Sequence, residues 1–86
     1  MTEFGEGLTS YFAILTGQVL AVGQPPRFFT YSNTIGLADH ITERETYLYV
    51  LDEAARANDC RPGEVVVLFY RVVPNHRADT VGSLKP

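Results

Sequence analysis

The sequence predicts a small α+β domain: two strands, one helix and a third strand, with a three-stranded sheet in the order 2-1-3 and the helix on one face. Three observations carry this expectation. Two β-rich stretches flank the turn Gly23-Gln24-Pro25-Pro26, a capping box opens an amphipathic stretch at Thr42, and an apolar run fills 64–73. The chain has 86 residues, enough for one domain and a modest core. Apolar residues make up 45% of it, with ten Phe and Tyr, which separates it from a disordered chain.

The first strand is expected at Ser10–Thr16 (Ser-Tyr-Phe-Ala-Ile-Leu-Thr), rich in aromatic and β-branched residues. Gly17 bends it or lets it continue through Gln18–Val22. The prolines of the following turn lack N–H donors and fix φ, so Arg27–Thr34 becomes the second strand of a hairpin. A hairpin turning at Thr16-Gly17 is the alternative. Residues 35–41 are expected as a connector, because Gly36 and Asp39 interrupt the strand pattern.

Thr42-Glu43-Arg44-Glu45 is a capping box, in which the Thr42 hydroxyl and the Glu45 carboxylate each accept from the other's amide. Glu43 and Glu45 also suit the positive end of the helix dipole. The helix runs to Asn58 or Asp59, and Pro62-Gly63 prevents continuation. At 100° per residue Tyr47, Leu48, Val50, Leu51, Ala54 and Ala55 share one side, while Glu45, Asp52, Glu53 and Arg56 share the other. Asp52 and Arg56 form an i,i+4 pair. Tyr49 projects among the charges.

The third strand, Glu64–Val73, alternates Val66, Leu68, Tyr70 and Val72 with Val65, Val67, Phe69, Arg71 and Val73. Both sets are apolar apart from Arg71, the signature of a strand buried on two faces. A right-handed helical crossover makes it parallel to the second strand and antiparallel to the first. One helix covers one face, so the set Val65, Val67, Phe69, Arg71 and Val73 is expected to face a partner. That partner is a second copy or another protein. The competing expectation is that Phe4, Leu8 or Val81 folds back over the face. Residues 1–9 are expected as a flexible lead-in, 10–74 as the domain and 75–86 as a flexible tail.

Charge and motif content exclude several functions. The net charge is −3, and the seven basic residues are scattered, so a phosphate-binding stripe is absent. A small DNA-associated regulator using Arg27, Arg71 and Arg77 is the runner-up. The glycines match neither dinucleotide nor P-loop spacing. Asp39, His40 and Glu43 are too few for a metal site and read as solvated residues. His76, Arg77 and Asp79 fall in the expected tail. Tyr11, Tyr31, Tyr47 and Tyr70 lack the neighbouring cations of a base-stacking platform and read as amphipathic core. Lone Cys60, at the negative end of the helix, is a poor nucleophile and points to a reducing, cytoplasmic setting. Catalytic residues, metals and cofactors are therefore not expected. The acidic start lacks a signal-peptide pattern and no apolar run reaches about 18 residues.

Tyr-Phe-Ala-Ile-Leu-Thr at 11–16, Thr-Glu-Arg-Glu at 42–45 and Val-Val-Leu-Phe-Tyr-Arg-Val-Val-Pro-Asn at 66–75 together resemble a loose group of short uncharacterised proteins of actinobacteria and their phages. In that group a hairpin, a helix and a final apolar strand ending near Pro-Asn recur. The resemblance implies an accessory protein of a phage or mobile element. It brings no activity and no functional residues with it. The expected function is a non-enzymatic protein-interaction module, a homodimer or a partner-docking accessory protein.

Overall fold

The structure, a computed structural model, describes residues 7–75. Strand β1 spans Leu8–Val19, β2 spans Arg27–Ala38, helix α1 spans Glu43–Ala57, and β3 spans Val65–Pro74 after a 3-10 turn at Pro62–Glu64. The sheet order is β2-β1-β3, with β1 antiparallel to both neighbours. This is the expected small α+β architecture.

Both hairpin strands exceed expectation. Gly17 lies inside β1, opposite Phe29 and Val67, so the hairpin does not turn there. The turn falls at Ala21–Gln24, where the Gln24 amide donates to the Ala21 carbonyl at 3.2 Å and Gly23 takes φ +80°. A positive φ at that position is the requirement of a type II turn, and glycine meets it without steric cost. At the other end, residues 35–38 continue β2 instead of forming a connector. Ile35 is buried opposite Tyr11, and Leu8 and Thr9 pair with Ala38 and Leu37. Burial of Ile35 outweighs the strand-breaking tendency of Gly36.

Helix α1 is closed at both ends. The Thr42 amide donates to Glu45 Oε1 at 2.9 Å and the Glu45 amide to Thr42 Oγ1 at 3.1 Å. At the far end Cys60 N–H donates to the Ala55 carbonyl and Asp59 N–H to that of Arg56, the two bonds of a Schellman motif. Asp59 occupies the left-handed position at φ +58°, which glycine usually fills. Asp52 and Arg56 pair at 2.7 Å on the exposed side.

The core lies between α1 and one sheet face. Ala13, Leu15 and Ile35 meet Val50 and Ala54, and Tyr11, Phe29, Tyr31, Leu37, Leu51, Val67, Tyr70 and Val72 pack around them. Tyr47 meets Tyr70 edge-to-face, with ring centroids 4.9 Å apart, tying the helix to β3. Tyr49, the exception on the charged side, is half-exposed near Glu53 and Arg56 and also borders a groove with Leu37 and Ile41. Burial, then the nearby Glu53 and Tyr31, push its hydroxyl pKa up.

Candidate interaction surface

The sheet face opposite α1 is built from the residues between the core positions. Four rows cross it: Thr34, Phe12 and Val73; Ser32, Ile14 and Arg71; Thr30, Thr16 and Phe69; Phe28, Gln18 and Val66. The β2 column is mostly hydroxyl, with Thr16 and Thr30 sharing a hydrogen bond of 2.9 Å. The β1–β3 side is mostly apolar. Phe12 remains 39% exposed, Val66 43% and Phe69 50%. Such neighbouring apolar exposure is unusual, because isolated exposed side chains are ordinary and contiguous ones mark contact surfaces.

The phase of β3 differs from strict alternation, and this corrects the expected set. Thr16 pairs with Phe69 and Gly17 with Val67, so Leu68 has no partner and forms a β-bulge. A single extra residue exchanges the faces of everything beyond it. Val65 and Val67 therefore stand on the helix side with Tyr70 and Val72. Phe69, Arg71 and Val73 stand on the open side with Val66. The shift lies beside close packing at Gly17. A Cβ there would meet Val65 Cγ1 at 2.9 Å, Phe29 Cζ at 3.1 Å and the Val66 carbonyl oxygen at 3.1 Å. The absent side chain lets Val65 and Phe29 close over the strand. The bulged residue itself, Leu68, is 54% exposed. Sequence alternation missed Val66 and Leu68; the only signal of a bulge was a glycine within β1.

The outer edge of β3 is poorly suited to adding a strand. The bulge breaks its regularity, Arg71 places a charge on it, and Pro74 ends it. Asn75 N–H donates to the Ser10 carbonyl at 2.9 Å, so ladder alternation leaves the nitrogen of Pro74 facing outward, where it offers no donor. On the β3 side the face, rather than the edge, is the available surface; β2 forms the other edge of the sheet.

Leu8 belongs to β1 instead of folding back across the sheet. Phe4 and Val81 lie outside the described residues, as do His76, Arg77 and Asp79. Arg27 donates through Nη2 to the Asn58 carbonyl at 2.6 Å, on the helix side. Arg71 belongs by register to the open side, so these two cations do not form one basic surface.

Two grooves flank the N-terminal half of α1. One, of about 420 Å3, is bordered by Leu8, Leu37, Ile41 and Tyr49, with Glu45 its ionisable acid. That carboxylate is committed to the helix cap. Its hydrogen bonds from the Thr42 amide and hydroxyl hold its pKa below the ordinary value. The other, of about 380 Å3, includes Glu43, Tyr70 and the edge residue Arg71. Burial is the first cause raising the Tyr70 hydroxyl pKa. Among the described residues, no three His, Cys, Asp or Glu side chains converge on a point. Burial also pushes the Cys60 thiol pKa up, with Glu64 and Asp59 adding to the rise against the opposing Arg27. The expected direction holds, but burial is its leading cause. No helix among the described residues is long and apolar enough to cross a membrane.

Comparison with family models, with curated proteins and with solved structures gave no match.

Proposed function

We propose that the protein is a non-enzymatic protein-interaction module whose working surface is the open sheet face. It acts as a homodimer or as a docking accessory protein. The observation that carries this reading is the apolar set Phe12, Ile14, Val66, Phe69 and Val73 on the sheet face that α1 leaves uncovered. Burying such a surface on association contributes roughly 25 cal/mol per Å2, whereas leaving it in water favours aggregation. The resemblance of segments 11–16, 42–45 and 66–75 to small actinobacterial and phage proteins supports an accessory role in a phage or mobile element.

The test combines gel filtration with light scattering and affinity recovery, using the intact chain and Phe69→Glu as baits. The reading expects a multimer, or a partner, that forms with the intact chain and not with the variant. A high-micromolar monomer that recovers nothing overturns it.

A further inference from the structure

We infer that the free edge of β2 is a docking site for an extended segment of another protein that presents apolar and basic side chains at alternate positions. The segment adds to the sheet as a further, antiparallel strand, beside the groove between β2 and α1. This site is separate from the open face, and either can fail without the other.

The two edges of the sheet differ in kind. β3 is broken by a bulge, charged at Arg71 and ended by Pro74. β2 pairs with β1 along its whole length without a register shift, and from Phe28 to Ala38 it holds neither proline nor charge. A long, regular, uncharged edge is a template for another strand.

Its outward groups follow from the ladder. The Ser10 carbonyl accepts from Asn75, just past β3, so the Ser10–Gly36 pair exchanges no bonds between β1 and β2. Thr34 agrees, because its N–H donates to Asn33 Oδ1 at 2.9 Å. By alternation Phe28, Thr30, Ser32 and Gly36 turn their N–H and C=O groups away from β1. A strand bonded to these groups sends every second side chain toward the helix side.

Those side chains reach the groove of about 420 Å3, where Leu37, Ile41 and Tyr49 call for apolar partners. Tyr49 lies near Tyr31 of β2 and near Glu53, so this flank of α1 looks toward the β2 edge. Glu45, Tyr49 and Glu53 form one i,i+4 stripe along it. Arg56, the cation on this flank, is paired with Asp52 at 2.7 Å. The stripe therefore calls for a basic side chain. It also argues against a second copy. Val50 and Ala54 pack on Ala13, Leu15 and Ile35, which places α1 over β1 and β2. Two β2 edges joined about a two-fold axis would bring two α1 helices side by side about 10 Å apart. Acidic stripe would then face acidic stripe.

The test titrates the isotope-labelled intact chain with the capped peptide Thr-Leu-Thr-Val-Thr-Lys-Thr-Lys, followed by NMR shifts and amide exchange. The same peptide with Glu for Lys is the control. In the free chain the Thr30 and Ser32 amides should exchange faster than those of Tyr31 and Asn33, and the Lys peptide should slow them. Ser32→Pro removes an outward donor without touching the β1 ladder, and should weaken binding at least about tenfold. Glu53→Lys should weaken the Lys peptide roughly threefold or more and favour the Glu peptide, and it serves where Ser32→Pro unfolds. Phe69→Glu, on the open face, should leave peptide binding as it is. Outward amides already protected in the free chain overturn the inference, as does no binding of the Lys peptide up to about 1 mM. Equal binding of the two peptides, binding that survives both edge variants, or binding lost with Phe69→Glu also overturns it.

Discussion

Gly17→Ala probes the close packing that goes with the phase of β3. The added methyl meets Val65 Cγ1 at 2.9 Å, Phe29 Cζ at 3.1 Å and the Val66 carbonyl oxygen at 3.1 Å. Carbon pairs prefer about 3.5–4.0 Å, so the two carbon contacts are repulsive, and the contact with the carbonyl oxygen is tight. Val65 and Phe29 can rotate, but the Val66 carbonyl belongs to the ladder and moves only with the strand. Overpacking of this kind costs about 1–3 kcal/mol, and losing the glycine's conformational freedom returns about 0.5–1 kcal/mol. The net expectation is a loss of about 1–2 kcal/mol, or a fall in Tm of roughly 5–15 °C for a domain this small. Urea and thermal unfolding at fixed protein concentration measure it. A cycle with Val65→Ala should recover part of the loss, because that change removes the nearest atom. Neutral or stabilising behaviour of Gly17→Ala, with no coupling to Val65→Ala, would refute the packing argument.

Other consequences are equally direct. Val67→Asp places an unpaired carboxylate on the helix side and should cost at least about 3 kcal/mol, while Val66→Asp on the open side should cost about 1 kcal/mol or less, both by dilute urea unfolding. Asp59→Gly should stabilise by about 0.5–1 kcal/mol, since the left-handed strain relieved exceeds the added chain entropy, and the shift appears in Tm. Thr42→Ala should lose about 1 kcal/mol of helix capping, seen as a lower urea midpoint. Glu45, with a pKa below its ordinary value near 4.5, stabilises the fold above that pH and loses its contribution as pH falls through the lowered value. Replacing it by Gln should flatten that acidic limb in a pH series of unfolding midpoints.

The element order was legible because each segment announced itself locally. Thr42 and Glu45 have the spacing of a capping box and form one, and the hairpin turn at Ala21–Gln24 overlaps the first two residues of the Gly23-Gln24-Pro25-Pro26 signal. Strand ends were less legible. Ile35 pairs opposite Tyr11 through long-range burial, which no local signal beside Gly36 conveys. The face of β3 was half legible for the same reason. Strict alternation places Phe69, Arg71 and Val73 correctly, but a residue skipped at Leu68 reverses Val65 and Val67. Alternation is a local rule, whereas the bulge sits opposite Gly17, some fifty residues away in sequence, so neither segment alone determines it.

The most direct test of the open face is a dilution series followed by heteronuclear NMR, from low to high micromolar protein. The methyl and ring signals of Ile14, Val66 and Val73 with Phe12 and Phe69 are predicted to move together with concentration or added partner, while Val50 and Ala54 under the helix and exposed Arg44 stay fixed. Shifts centred on α1, with the open-face signals unchanged, would contradict the account.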